Sequence, residues 1–258
     1  MSVQPGASAP LIDPEDFRSW ILYEDERLLV VNKPGLIVCH PSKNGPWSSL
    51  VGAVRAYLGL PTVHLVFRLD RETSGVVVLA KDSGTAGRLQ KAMERRLIGK
   101  RYLAIVEGEL AGPVTVDQPL GPDPDSCVTI RSKVVTAGSP GAQAAVTHFE
   151  PLARGGGFTL ARVRLDTGRK HQIRAHALWL GHPVVGDKLY GPDERLYLEF
   201  ARQGWTARHA ALLPLPRQAL HCAEIDLHPA GEPHVFRAPL PAELRTFCRE
   251  QLGVEAAD

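Results

Sequence analysis

The chain has 258 residues, is 44% hydrophobic and 22% charged, and carries a formal charge of only +2. That is long enough for one or two domains with a substantial core, and it excludes both a disordered polyelectrolyte and a uniform polycation. The four cysteines, Cys39, Cys127, Cys222 and Cys248, form no CxxC pair, so neither a disulfide framework nor a zinc cluster is expected. Residues 1–10 lack a basic segment followed by an apolar run, and nowhere do 18 uncharged apolar residues follow one another. A cytoplasmic protein with no membrane contact is the expectation.

Residues 1–16, rich in Pro, Ala and Ser, read as a loose arm, and residues 17–258 as a single domain, since no linker composition divides them. Leu28 to Val31 reads as a buried strand closed by the turn Lys33-Pro34-Gly35. The spacing of Leu50, Val51, Val54 and Leu58 predicts a helix over 48–58. Gly75 to Ala80 is a β-branched core strand. Leu89, Ala92, Met93 and Leu97 predict a helix over 85–97, followed by a strand over 101–107. Beyond it, 137–141 is a turn-rich insertion and Gly155-Gly156-Gly157 a tight hairpin before a strand over 158–165. A helix over 170–180 ends at Gly181 and Pro183. A strand over 220–227 and a helix over 241–252 complete the chain. Strands and helices do not alternate regularly, so the class is α+β with a mixed sheet.

Charge is concentrated rather than abundant. Lys81, Arg88, Lys91, Arg95, Arg96, Lys100 and Arg101 face only Asp82 and Glu94 in the same stretch. Arg162, Arg164, Arg169, Lys170 and Arg174 form a second basic group. A solvated helix face explains one such run; two beside a candidate site point to a polyanionic partner.

Two segments have the residue types for chemistry. In Arg68-Leu69-Asp70-Arg71-Glu72-Thr73-Ser74-Gly75, Asp70 lies between two arginines just before a core strand. A nearby cation keeps a half-buried carboxylate ionised, and so usable as a nucleophile or general base. Taken alone, an Asp in a turn is more often a cap. In the second segment, 167–176, a helix starting at Lys170 places Lys170 and His171 on the side of Arg174. Cations in a first turn oppose the helix dipole, which suggests an anionic ligand or a carboxylate nearby. His171 and His176 are five apart with no acid between them, unlike the metal-binding HExxH spacing. GxxxxGK[ST] and GxSxG are both missing, so no metal and no nucleotide cofactor is expected.

Together these segments resemble the RluA-type pseudouridine synthase family. Arg68-Leu69-Asp70-x-x-Thr73-Ser74-Gly75 is similar to its RLDxxTSG signature, and Thr167-Gly168-Arg169-x-His171-Gln172-Ile173-Arg174-x-His176 to its TGRxHQIRxH segment. Lys33-Pro34, His40-Pro41-Ser42, Lys100-x-Tyr102-x-Ala104, Gly186-Asp187-x-x-Tyr190-Gly191 and Leu220-His221-Cys222-Ala223 follow in the family's order. These blocks, with Gly181-x-Pro183 and a final His228-Pro229, run from Lys33 to Pro229. Phe67 departs from the His common at its position. The resemblance implies an α+β catalytic domain with a mixed, largely antiparallel sheet and a central cleft. It also implies isomerisation of uridine in transfer or ribosomal RNA without a cofactor. Some members carry a separate N-terminal RNA-binding module; about 20 residues before the first strand are too few for one, so none is expected here, and the chain is expected to be a monomer. Asp70, Tyr102 and Arg174 would be catalytic: Asp70 attacks the anomeric carbon or the uracil ring, Arg174 keeps it charged, and Tyr102 stacks on the base and serves as a later base. Arg68, Arg169, His171 and Ile173 would contact substrate. Two rivals stand beside this reading, a non-catalytic RNA binder and a glycoside-cleaving enzyme. The second generally needs two carboxylates about 5 Å apart, and the motif supplies one.

Overall fold

A computed structural model describes residues 11–40 and 45–255. In chain order its elements are α1 (Pro14–Ser19), β1 (Ile21–Glu24), β2 (Leu28–Lys33), α2 (Leu50–Leu58), β3 (His64–Leu65), β4 (Ser74–Ala80) and α3 (Ser83–Glu94). Then come β5 (Gly99–Glu107), β6 (Val114–Asp117), β7 (Leu120–Pro122), β8 (Ser132–Val134), β9 (Val146–Gly155) and β10 (Phe158–Leu165). The last are α4 (Gln172–Trp179), α5 (Arg195–Gln203), α6 (Ala207–Leu212), β11 (Leu220–Asp226), β12 (Val235–Arg237) and α7 (Ala242–Phe247), which runs into a π-helical turn, Cys248–Leu252.

The chain forms two compact units, residues 1–100 with 222–239 and residues 101–221 with 240–258. Two changeovers fall inside β5 and β11, where no linker composition marks them, and the third, at Pro239–Leu240, lies between β12 and α7. In the first unit the strand order is β1-β2-β4-β11, with β3 also on β4 and β12 on β11. β4 is buried at every residue and β2 at all but one, as expected of strands covered on both faces. In the second unit the order is β5-β10-β9-β6, beside a two-stranded ribbon, β7-β8. The pairings of β2 with β4, β5 with β10, and β9 with both β10 and β6 are all antiparallel. The glycine hairpin is present, with Gly156 and Gly157 at φ 58° and 81°.

Several boundaries differ from the sequence reading. The arm read over 1–16 is ordered in its described part, residues 11–16; residues 1–10 lie outside the described residues. Asp13 caps α1 by accepting from Glu15 N, the buried Ile12 donates its N–H to Trp47 O, and Phe17 packs edge-on against Trp20, Trp47 and Tyr57. The helix read over 48–58 starts at Leu50, capped by Ser49. The helix read over 85–97 starts earlier, under its Asp82 cap, and stops at Glu94 because Arg96 turns left-handed (φ 60°). Leu97 is therefore outside it and exposed.

Candidate active site

Asp70 sits in a loop held from below by a buried ammonium. Lys33, fully buried at the end of β2, donates from Nζ to the carbonyls of Pro34 (2.8 Å), Ile37 (3.0 Å) and Arg71 (3.2 Å). The Cys39 thiol donates to Leu69 O at 3.4 Å, and Thr73 N to Asp70 O at 3.1 Å. Leu69, Thr73 and Ser74 are buried, while Asp70 itself is half-buried. The loop enters β4 through Gly75 at φ 115°, where a β-carbon would lie 2.6 Å from Cys222 N. Only glycine combines that dihedral with that approach.

Arg68, beside this loop, is exposed and donates from Nη1 to His40 Nε2 at 2.8 Å. An arginine has only donors, so His40 accepts as a neutral ring. Burial first, and the guanidinium second, hold the imidazole below its usual pKa. The Lys100 ammonium lies 5.8 Å from the centre of the Phe67 ring, and burial lowers its pKa. The apolar ring at position 67 therefore has a cation for a neighbour. Pro41 and Ser42 of the matched block lie outside the described residues.

Tyr102, Arg174 and Ile173 are all buried. Tyr102 stands on β5 opposite Val163 of β10. The segment carrying Arg174 differs from the sequence reading: α4 begins at Gln172, and Arg169, Lys170 and His171 precede it. The cause is Gln172. Its Oε1 accepts from Thr167 Oγ1 (2.8 Å) and Arg169 N (2.9 Å), and its Nε2 donates to Val146 O and Thr147 Oγ1, both at 2.9 Å. This closes a turn that leaves His171 left-handed at φ 56°. Lys170 and His171 are therefore not on a helix face with Arg174, and their charges do not load the first turn. His171 instead points Nδ1 at the Tyr190 hydroxyl, 3.1 Å away. Arg169 is exposed, with Nε on Ala144 O at 3.1 Å.

The carboxylate seen on Arg174 is one to which the sequence reading gave no role. Asp187, with no exposed surface, takes Nε at 2.6 Å and Nη2 at 2.8 Å. Its Oδ1 also accepts from Leu189 N (2.9 Å) and Tyr190 N (3.0 Å). Burial alone would raise the Asp187 pKa; the Arg174 charge and these hydrogen bonds outweigh it and hold the carboxyl below its usual range. The guanidinium lies 4.9 Å from the centre of the Tyr190 ring. The Tyr190 hydroxyl donates to Ser132 O at 3.0 Å, and burial pushes its pKa up to about 12. Arg174 is thus fixed on one edge and one face. The signal was available in the block Gly186-Asp187-x-x-Tyr190-Gly191.

His176 is a structural histidine. Nε2 donates to Gln118 O at 3.0 Å, and Nδ1 meets Thr147 Oγ1 at 2.8 Å. Among the described residues no three His, Cys, Asp or Glu converge on a possible metal site, and no helix is long and apolar enough to cross a membrane. Much of the basic charge is engaged: Lys81 with Glu24, Arg88 with Glu232, Arg162 with Glu150 and Arg164 with Asp166. Lys91, Arg95 and Arg96 are exposed.

Residues 27–179 match the family model described as RNA pseudouridylate synthase. An uncharacterized RNA pseudouridine synthase of Bacillus subtilis, YjbO, is 37% identical over 231 residues, 87% of this chain and 73% of that protein. The ribosomal large subunit pseudouridine synthase D of Xylella fastidiosa is 37% identical over 237 residues, 90% of this chain and 69% of that protein. Among solved structures, human RNA Pseudouridylate Synthase Domain Containing 4 superposes with a TM-score of 0.69 at 26% identity, covering 90% of this chain and 92% of the other. The chain belongs to the RNA pseudouridine synthase family and is an isomerase acting on RNA.

Proposed function

We propose that this enzyme converts specific uridines of structured RNA, ribosomal or transfer, to pseudouridine, with Asp70 as nucleophile and no cofactor. The names of relatives such as the Xylella fastidiosa protein support ribosomal RNA among the targets. The observation that carries the assignment of Asp70 is the rigid seat of its loop: three carbonyls on Lys33 and the Cys39 contact fix a half-buried carboxylate. A nucleophile held in place loses little entropy on attack.

The target base leaves its stack at a cost of a few kcal/mol. Asp70 then attacks the anomeric carbon or the uracil ring, the bond from C1′ to N1 breaks, and the base rotates. C1′ bonds to C5, the bond to Asp70 breaks and returns its electron pair to the carboxylate, the C5 proton departs and N1 gains one, so the reaction is an isomerisation with no net loss of atoms. Tyr102 provides a face for the uracil and a group to receive the C5 proton. Arg174, aligned by Asp187, supplies positive charge for a carboxylate, and Ile173 an apolar wall. Arg68, Arg169 and His171 contact the RNA.

The test uses RNA labelled with tritium at uridine C5. Isomerisation releases label into water, glycosidic hydrolysis frees uracil, and a binder does neither. Asp70→Asn is expected to lose turnover while keeping most RNA affinity, because phosphate contacts dominate binding. An Asn variant retaining more than about a tenth of the single-turnover rate would remove Asp70 from this role.

A further inference from the structure

We propose that a surface recess bounded by Asp117, Gln118, Val135, Thr136 and Ala142 is a guanine-nucleotide subsite, which holds a base of the RNA strand other than the uridine that reacts. This rests on the reading of the enzyme as an RNA isomerase. The recess has a volume of about 770 Å³, within the size range of ligand sites.

Its walls are anchored. The loop over 135–144 folds back on the start of β7: Val135 N donates to Pro119 O at 2.9 Å, and Gln143 and Leu120 exchange both backbone hydrogen bonds at 2.8 and 2.9 Å. The Gln118 carbonyl is held by the buried imidazole of His176. A recess built in this way exists before the ligand arrives, which lowers the ordering cost of binding.

Its chemistry is selective. Pro119, Val134, Val135, Ala142 and Ala144 supply an apolar lining on which a base can rest. Asp117 is exposed, and neither it nor the Gln118 carboxamide has a side-chain hydrogen bond or an ion pair among the described residues. A carboxylate has acceptors only, spaced for two parallel donors. Guanine alone among the four bases presents two adjacent donors, N1–H and N2–H, on its Watson–Crick edge. Cytosine and adenine offer one exocyclic amine beside a ring acceptor, and uracil one N–H between two carbonyls. Single-stranded RNA is read through such edges. Arg169 supplies the other half: its exposed guanidinium is tied through Nε to the carbonyl of Ala144, a lining residue. The remaining N–H groups suit a phosphate oxygen pair.

The experiment is calorimetric titration of the full chain at low salt with GMP, AMP, CMP and UMP. GMP is expected to bind at least about tenfold more tightly than the others, the discrimination of one bidentate base contact. Asp117→Asn should erase that preference, Arg169→Met should weaken all four nucleotides alike, and Ala142→Trp, which puts an indole into the recess, should abolish binding. Equal affinity for the four nucleotides overturns the proposal. So does a guanine preference that survives in Asp117→Asn, or GMP binding unchanged in Ala142→Trp. Tritium release is measured on the same preparations. A chain that prefers GMP but releases no label would refute the catalytic reading and not the subsite; an active chain without the preference would refute the subsite alone.

Discussion

Replacing Asp187 by Asn is the sharpest test of how Arg174 is held. The side chain keeps its shape, and its Oδ1 can still accept from Leu189 N and Tyr190 N. What changes is the atom facing Arg174 Nε at 2.6 Å: an amide NH₂ replaces an anionic oxygen and meets a donor with a donor. The guanidinium is then a buried cation without this partner, and breaking such a pair costs about 3–5 kcal/mol. At roughly 2–4 °C per kcal/mol for a chain of this size, the melting temperature should fall by about 6–20 °C. The sign of the pH dependence follows from the lowered Asp187 pKa. The pair's contribution is present above the ordinary carboxylate pKa and is lost as pH falls through the lower folded value. Wild type and variant should therefore differ at neutral pH and converge in strong acid. Urea unfolding at several pH values measures this, with equal slopes showing that the same surface is exposed. A loss under about 1 kcal/mol at pH 7, or a difference that grows in acid, would refute the reasoning.

Other outcomes follow from single contacts. Gly75→Ala should destabilise by roughly 2–6 kcal/mol, since left-handed strain and overlap with the Cys222 backbone act together; a stable, active variant would contradict the φ of 115°. Tyr190→Phe removes the donor to Ser132 O and should cost about 1–3 kcal/mol in urea unfolding, while in the native wild type one phenol should ionise only near pH 12 in an absorbance titration. For RNA binding, Lys91→Glu with Arg95→Glu should reduce the slope of log affinity against log salt by about 1.4–1.8, two phosphate contacts' worth. Arg162→Gln with Arg164→Gln should change it by less than about 0.5, because Glu150 and Asp166 already engage those charges. Equal effects would mean that these ion pairs open on RNA.

The strands were legible wherever burial on both faces produced an apolar run, as in Val76 to Ala80, or a glycine pair forced a hairpin, as at 156–157. Helix ends were less legible. The turn before α4 depends on Gln172 reaching residues 25 and 26 positions away, and no local pattern records such contacts. α5 and α6 were not read at all: α5 buries only Leu196, and Gly204-Trp205-Thr206 interrupts the periodicity between the two helices. At the site, Asp70, Tyr102 and Arg174 stood out through their motifs. Asp187 was less legible because its place in the chain, 13 residues beyond Arg174, says nothing of the contact. The charge runs were legible as composition only, since cross-strand acids such as Glu150 decide which cations remain available.

The fully buried Lys33 ammonium lies beneath the Asp70 loop and donates to three backbone carbonyls, those of Pro34, Ile37 and Arg71. Amine-directed acylating reagents, which need an accessible nitrogen, should therefore pass over buried Lys33 while labelling exposed Lys91. The rate at which Lys33 becomes labelled then reports how often the loop lifts from its seat in the intact enzyme. A single chemical footprint thus becomes a clock for the motion of the loop that carries Asp70.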